Sequence, residues 1–185
     1  MFNRLIPAIA FAALMAAATP AQPAAPQPVT ARVPITGAGN GDPISGMAIL
    51  REGPEGVLIR IRVNDLPVEA RGRWHAAHLH DTADCTGTGF TRAGDHINQE
   101  GRAHGLLNLQ GPEPADLPNL WADAAGNINA ELYSTGITLT GAAGRVNLLD
   151  EDGSAIVLHA GADDHTSQPI GGAGARIACG TISGG

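Results

Sequence analysis

The chain has 185 residues, of which 43% are hydrophobic and 16% charged: enough apolar material for one core, and too little charge for a disordered chain. Aromatics are only 3%, so the core must come from Val, Ile, Leu and Ala, while 25 Gly and 13 Pro favour many turns over long helices. The net charge is −7 and all eleven basic residues are arginine; this argues against nucleic acid as a partner, which needs a positive surface, but not against a small anion drawn by one local arginine.

The N-terminal stretch MFNRLIPAIAFAALMAAATPAQPAAPQPVTA puts one charge, Arg4, before an apolar run that ends near Ala18, followed by small residues and Pro20. That is the layout of a secretory signal peptide over 1–21, cut after Ala18 or Ala21. The run is shorter than the ~20 residues that span a bilayer, so a retained anchor is the weaker reading and no stable membrane insertion is expected after cleavage. Residues 22–28 are rich in Ala, Gln and Pro and suit a flexible lead-in; 29–185 suit one β domain. Strand-like runs follow at 30–35 and 46–50. Then Val57, Ile59, Ile61 and Val63 alternate with Leu58, Arg60, Arg62 and Asn64, the period of a strand with one buried face. Further runs lie at 75–80, 128–132, 136–140, 145–149, 155–160 and 176–182, most of them separated by turn signals. Short strands at this spacing predict an all-β antiparallel sandwich or barrel. Two segments, 81–118 and 161–174, are long, polar and Gly-rich, and loops of that length in a compact domain are usually functional.

The chemistry gathers in and beside those loops. His78 and His80 are two apart on a strand, so their rings share a face, and imidazole suits copper and zinc. His75 has the opposite parity and suits a buried hydrogen-bonding role. His96, His104 and Asp116 follow in the first loop, His159 ends the apolar run 155–158, and Asp163 and Asp164 come next. Cys85 and Cys179 are the only cysteines. In an exported chain they are the candidates for one disulfide, closing a loop of about 95 residues worth up to ~4–5 kcal/mol on the chain-entropy model; two free thiols are the alternative. On spacing alone Arg176 suits a surface ion pair, His165 a solvated loop position and Asp164 a local cap or a local pair. Trp74 and Trp121 suit either core or interface.

Taken together, HAAHLHDTADC, AGDHINQEGRAHG, ADLPNL, VLHAGADD and GGAGARIACG resemble the copper,zinc superoxide dismutase family in its bacterial exported form, over about residues 29–185. The resemblance implies a Greek-key β-sandwich or barrel with two long functional loops. It implies that His78, His80 and His159 bind copper, that His96 bridges copper and zinc, and that His104 and Asp116 bind zinc. Asp163 would link His78 to His104 and fix both rings. Arg176 would sit beside the copper and attract superoxide, and Cys85 would pair with Cys179. The implied reaction is disproportionation of superoxide to oxygen and hydrogen peroxide, with His96 also acting as general acid. Two departures stand out. The family's third zinc histidine, three residues before the aspartate, is Glu113 here, a carboxylate that can itself bind zinc. The family's Gly-Phe between the first two histidines is Ala76-Ala77. These departures leave one rival, a non-catalytic exported copper- or zinc-binding protein on the same barrel; the full copper set together with Arg176 favours the enzyme. The sequence leaves open a periplasmic or released location, and a monomer or a homodimer.

Overall fold

The alternation at 57–63 becomes β3 (Gly56–Asn64), which buries Val57, Ile59, Ile61 and Val63 and turns Arg60 and Arg62 to solvent. The structure is a computed structural model; it describes residues 27–38, 43–142 and 144–184, so the signal peptide expected over 1–21 lies outside the described residues. Around β3 the described chain forms β1 (Thr30–Gly37), β2 (Ser45–Gly53), β4 (Arg73–His75), β5 (Ala77–His80), β6 (Leu120–Ala122) and β7 (Ile128–Ser134). It continues through β8 (Ile137–Thr138), β9 (Val146–Asn147), β10 (Ser154–His159) and β11 (Arg176–Ile182). Nine strands make one antiparallel sheet in the order β4-β6-β7-β3-β2-β1-β11-β10-β5. Its first and last strands are neighbours in the chain, separated only by Ala76. The sheet must therefore roll up until its two edges meet, which gives a nearly closed barrel. The step from β3 to β4 passes over β7 and β6, a Greek-key crossing.

Four segments differ from expectation. The run 75–80, expected as one strand, is two. Ala76 leaves the ladder, giving its N–H to Gly161 O and taking the His159 N–H on its carbonyl. The segments 136–140 and 145–149 shrink to the two-residue strands β8 and β9, which pair parallel rather than antiparallel. Glu52 captures donors there, accepting from the Thr138 hydroxyl and the Leu139 N–H. β6 was not anticipated, because three residues are too few to show a period.

The core is built of Val, Ile, Leu and Ala, as the composition demands. Ala77, where the family carries an aromatic, borders a small apolar cavity ringed by Ile35, Ile61, Val63, Leu120, Ile156 and Leu158. Trp74 and Trp121 face each other across β4 and β6, edge to face at 5.1 Å. They are 51% and 47% exposed, so they belong to the surface and not to the core.

The two long loops fill the gaps between β5 and β6 and between β10 and β11, and they are bonded to each other. Gln168 exchanges hydrogen bonds with the His104 backbone, and Leu107 N–H donates to His165 O. Cys85 and Cys179 form a disulfide with Cα atoms 5.8 Å apart. It staples the loop just before the 3-10 segment Thr88–Ala93 to β11, beside a small cluster of Phe90, Ala93, Ala155 and Val157. Replacing both cysteines with serine should lower the unfolding free energy by ~2–5 kcal/mol in a urea titration. An unchanged midpoint would show that the staple adds nothing to stability.

Candidate metal centre

β5 carries His78 and His80 on one face, and Leu79 between them anchors the first loop. Leu79 gives its N–H to Ala115 O and accepts from the Ile97 N–H. These two bonds bring Asp116 beside His78 and His96 beside His80. His159 arrives from the end of β10, where the ladder with β11 shifts register. The rings then meet: His78 lies 4.3 Å from His96 and 4.9 Å from His159, and His80 lies 5.1 Å from His96 and 6.2 Å from His159, between ring centres.

Each ring is tied by one nitrogen and bare at the other. His78 Nε2 meets Asp163 Oδ2 at 2.9 Å, His80 Nδ1 meets Gly94 O at 3.0 Å, His159 Nδ1 meets Gly174 O at 3.1 Å, and His96 Nδ1 meets Glu113 Oε2 at 2.9 Å. Carbonyl and carboxylate oxygens only accept, so the tied nitrogen carries the proton and the opposite one presents a lone pair. Those opposite atoms, His78 Nδ1, His80 Nε2, His96 Nε2 and His159 Nε2, are all buried and have no hydrogen-bond partner. Buried lone pairs without partners are costly unless an ion takes them. The ligand atoms of His78, His96 and His159 fall within 4.8 Å of one another, with His80 beside that set rather than inside it. An all-imidazole donor set of this kind fits copper.

Behind His96 lies an oxygen-rich half. His96, His104, Glu113 and Asp116 offer ligand atoms within 4.8 Å of one another. His104 Nδ1 is 2.7 Å from Asp116 Oδ1 and 3.5 Å from Glu113 Oε2. Neither His104 Nδ1 nor Asp116 Oδ1 makes a hydrogen bond, as suits two ligands facing one ion. Asp116 is aimed by the N–H groups of Gly105 and Glu113, both on its Oδ2, at 2.8 and 2.9 Å. Glu113 is aimed by Asn98, whose amide donates to Oε1 at 2.8 Å and leaves Oε2 to the rings. At 9% exposure Glu113 points inward. Two imidazoles and two carboxylates suit zinc. Asp163 joins the halves, touching His78 Nε2 at 2.9 Å and His104 Nε2 at 3.1 Å. A cleft of about 690 Å³ runs past the carboxylate half, lined also by Arg102, Tyr133 and Arg145.

Burial pushes His80 down to about 2 and His159 to about 4, and lowers His78 as well, so these rings are neutral and free to ligate. Burial works against a charge on His104 too, but the carboxylates of Asp116, Asp163 and Glu113 outweigh it and raise its pKa. Burial alone would raise Asp163; the hydrogen bonds from His78, the His165 N–H and His104 hold it well below the usual range.

Arg176 is not the surface ion pair that spacing alone suggests. Its guanidinium is half-buried and donates to Phe90 O at 2.8 Å and to Gly94 O at 2.7 Å. Gly94 O therefore serves both Arg176 and His80. Gly94 has φ +79°, and a Cβ there would run into the Asp81 carboxylate, so no other residue fits. Burial lowers the Arg176 pKa, while Asp95 and Asp81 pull it back up.

His75 is fully buried with its ring nitrogens 2.8 Å from His159 O and 2.7 Å from Ala70 O, the hydrogen-bonding role its parity suggested. Asp164 caps the following turn through the N–H groups of Thr166 and Ser167. His165 departs from expectation: its side chain is 18% exposed and packs against Asp163 and Asn119, so it is not a solvated loop histidine. Gly94, Asn98 and Asn119 lie inside the segments that carry the family resemblance, but only the fold reveals which groups they aim.

Residues 44–182 match the family model described as copper/zinc superoxide dismutase (SODC). The chain belongs to that family. It is 48% identical over 139 residues to a Cu-Zn superoxide dismutase of Caulobacter vibrioides, spanning 75% of this chain and 78% of that one. A second Cu-Zn superoxide dismutase, from Aquifex aeolicus, is 41% identical over 140 residues, spanning 75% and 79%. Among solved structures, a SOD-like protein from Bacillus subtilis superposes with a TM-score of 0.74 at 31% identity, over 82% of this chain and 97% of that one. Copper and zinc are the metals of this dismutase family, and the two halves of the centre divide as nitrogen-rich and oxygen-rich donors would for them.

Because His159 and His80 stay neutral when folded, the metal-free dismutase-family chain should lose stability in acid. Below the ordinary histidine value near ~6.5 the unfolded chain takes up protons that the folded rings refuse, costing ~1.4 kcal/mol per pH unit for each ring. The loss should continue to about 4 for His159 and about 2 for His80. Urea midpoints measured from pH 7 to 4 check this; a flat profile would mean that the rings are charged in the fold.

Proposed function

We propose that this chain disproportionates superoxide: two superoxide anions and two protons become one oxygen and one hydrogen peroxide. The observation that carries the reading is the set of four partnerless ring nitrogens gathered beside a guanidinium that is bound to carbonyl oxygens. His78 Nδ1, His80 Nε2, His159 Nε2 and His96 Nε2 would hold copper. His96 Nδ1 would give up to solvent the proton it shares with Glu113 Oε2, and would then hold zinc together with His104 Nδ1, Asp116 Oδ1 and Glu113 Oε2. Copper supplies one-electron chemistry in both directions, which zinc cannot.

Arg176 draws the anion. It is permanently charged, and both bonds to carbonyl oxygens leave further N–H groups for the substrate. Among the described residues no carboxylate pairs with it directly, Asp81 and Asp95 acting only through space, so it forms a local positive well on a chain that is acidic overall. His96 moves the proton. When Nε2 is free it can take one up, and it hands that proton to the reduced product. Gly94 O holds His80 and Arg176 in one frame, so the anion's resting place and the copper position move together.

The chain is read as an exported enzyme: a leader over 1–21, a lead-in over 22–28 and a dismutase domain over 29–185. The disulfide supports this, because such bonds persist in oxidising compartments. Among the described residues no helix is long and apolar enough to cross a membrane. The rival reading, a non-catalytic metal binder, gives no reason for a guanidinium at the mouth of the copper half.

Loaded with copper and zinc, the chain should turn over superoxide, and His80→Ala or His159→Ala should abolish it; full activity in either variant removes copper chemistry from the account. Arg176→Ala should fold and bind metal but show roughly tenfold lower kcat/KM and a flatter dependence on ionic strength. An unchanged rate and salt response would remove Arg176 from substrate capture. Glu113→Ala should carry less zinc per chain on elemental analysis, and equal zinc would strike Glu113 from the ligand set.

A further inference from the structure

We propose that His165 is a positioning residue for both metals: a third imidazole on the Asp163 carboxylate, set in place by Asn119. The inference rests on the metal-binding reading above and extends it to a residue that no motif marks.

Asp163 is buried and already receives His78 Nε2 at 2.9 Å on Oδ2, and His104 Nε2 at 3.1 Å on Oδ2 and 3.2 Å on Oδ1. His165 reaches the same carboxylate twice. Its backbone N–H donates to Oδ1 at 2.6 Å, and its ring Nδ1 lies 3.4 Å from Oδ2. The second distance is long for a hydrogen bond, so its effect is electrostatic and depends on where the ring carries its proton.

Asn119 decides that. The Asp163 N–H donates to Asn119 Oδ1 at 2.8 Å, which turns the amide nitrogen the other way. Asn119 Nδ2 then donates to Asp163 O at 2.8 Å and to His165 Nε2 at 3.1 Å. Nε2 must accept, so the neutral ring keeps its proton on Nδ1, the edge that faces the carboxylate. The backbone is bent to suit: His165 has φ +61°, a left-handed conformation that side-chain-bearing residues rarely adopt. Its carbonyl is held by the Leu107 N–H at 3.0 Å, and Gly105 packs so closely against it that a Cβ there would collide. One bend thus aims both a backbone N–H and a ring edge at Asp163. The far nitrogens, His78 Nδ1 and His104 Nδ1, would hold different metals, so the orientation of this one carboxylate would be felt in both halves.

Two variants separate ring from backbone. His165→Gly accepts the positive φ and removes the ring. His165→Asn also tolerates that φ and restores an N–H near the Nδ1 position. Zinc affinity is read by chelator competition, copper geometry by the visible and electron paramagnetic resonance spectra of the copper-loaded chain, and folding by the melting of the metal-free protein. His165→Gly should bind zinc about tenfold more weakly and shift the copper spectrum, while His165→Asn should resemble the parent in both. Parental zinc affinity and spectrum in the folded Gly variant would overturn the proposal, as would an Asn variant that is folded yet as impaired as Gly. A parent chain that binds neither metal would instead overturn the underlying reading of the site.

Discussion

An imidazole presents a lone pair at one nitrogen when an oxygen holds the proton on the other, and in the metal-free chain an oxygen does this for His78, His80, His96 and His159. The oxygens come from different places: a loop carbonyl at Gly94 for His80, another at Gly174 for His159, and the Asp163 and Glu113 carboxylates for His78 and His96. The choice of oxygen has a consequence. A ring backed by a carbonyl keeps its proton and stays a neutral donor. A ring backed by a carboxylate gains basicity and is coupled to whatever else that carboxylate touches. His78 and His96, the two rings coupled in this way, are the ones that lead from the nitrogen-rich half to the oxygen-rich half.

The barrel makes those oxygens available in the right places. Because only Ala76 separates the two edge strands of the rolled sheet, β5 is free of β4 and can offer its open edge to the first loop. Leu79 shows how economical this is: its side chain is buried in the core, while its backbone pins the loop on which His96 and Asp116 stand. The disulfide extends the same logic outward. It fixes the segment that carries Phe90 O, and just beyond that segment Gly94 O carries both Arg176 and His80. The Arg176 guanidinium and the His80 ring are thus fastened to one short piece of chain.

Much of this was legible in the residues. The period of two at 57–63 announced β3, and the spacing of His78 and His80 announced a shared face, because both depend only on local geometry. The ligand set came from resemblance, since no local rule brings His159 to His78. What stayed hidden was everything that depends on backbone oxygens and on side-chain amides. Gly94 reads as an ordinary loop glycine, and Asn98 and Asn119 as ordinary loop polars, until folding shows what they aim. The split at Ala76 was hidden for the same reason: its hydrogen bonds go to Gly161 and His159, far along the chain. His165 was misread because a histidine in a Gly-rich loop carries no sign of burial.

Glu113 shows how a departure from a family pattern can preserve a site while changing its electrostatics. Asn98 holds one oxygen of the carboxylate and the other faces His96 and His104, so the position can still offer a single ligand atom, as an imidazole would. The charge is what differs. With Asp116 it gives two carboxylates around a divalent ion, enough to neutralise it, where a histidine would leave one positive charge. With a divalent ion bound, a neutral oxygen-rich half would pull less electron density from the shared His96 ring and would leave that ring the better base at Nε2. In the proposed reaction Nε2 takes up the proton, so the substitution would act on the nitrogen-rich half through the one ring that both halves share.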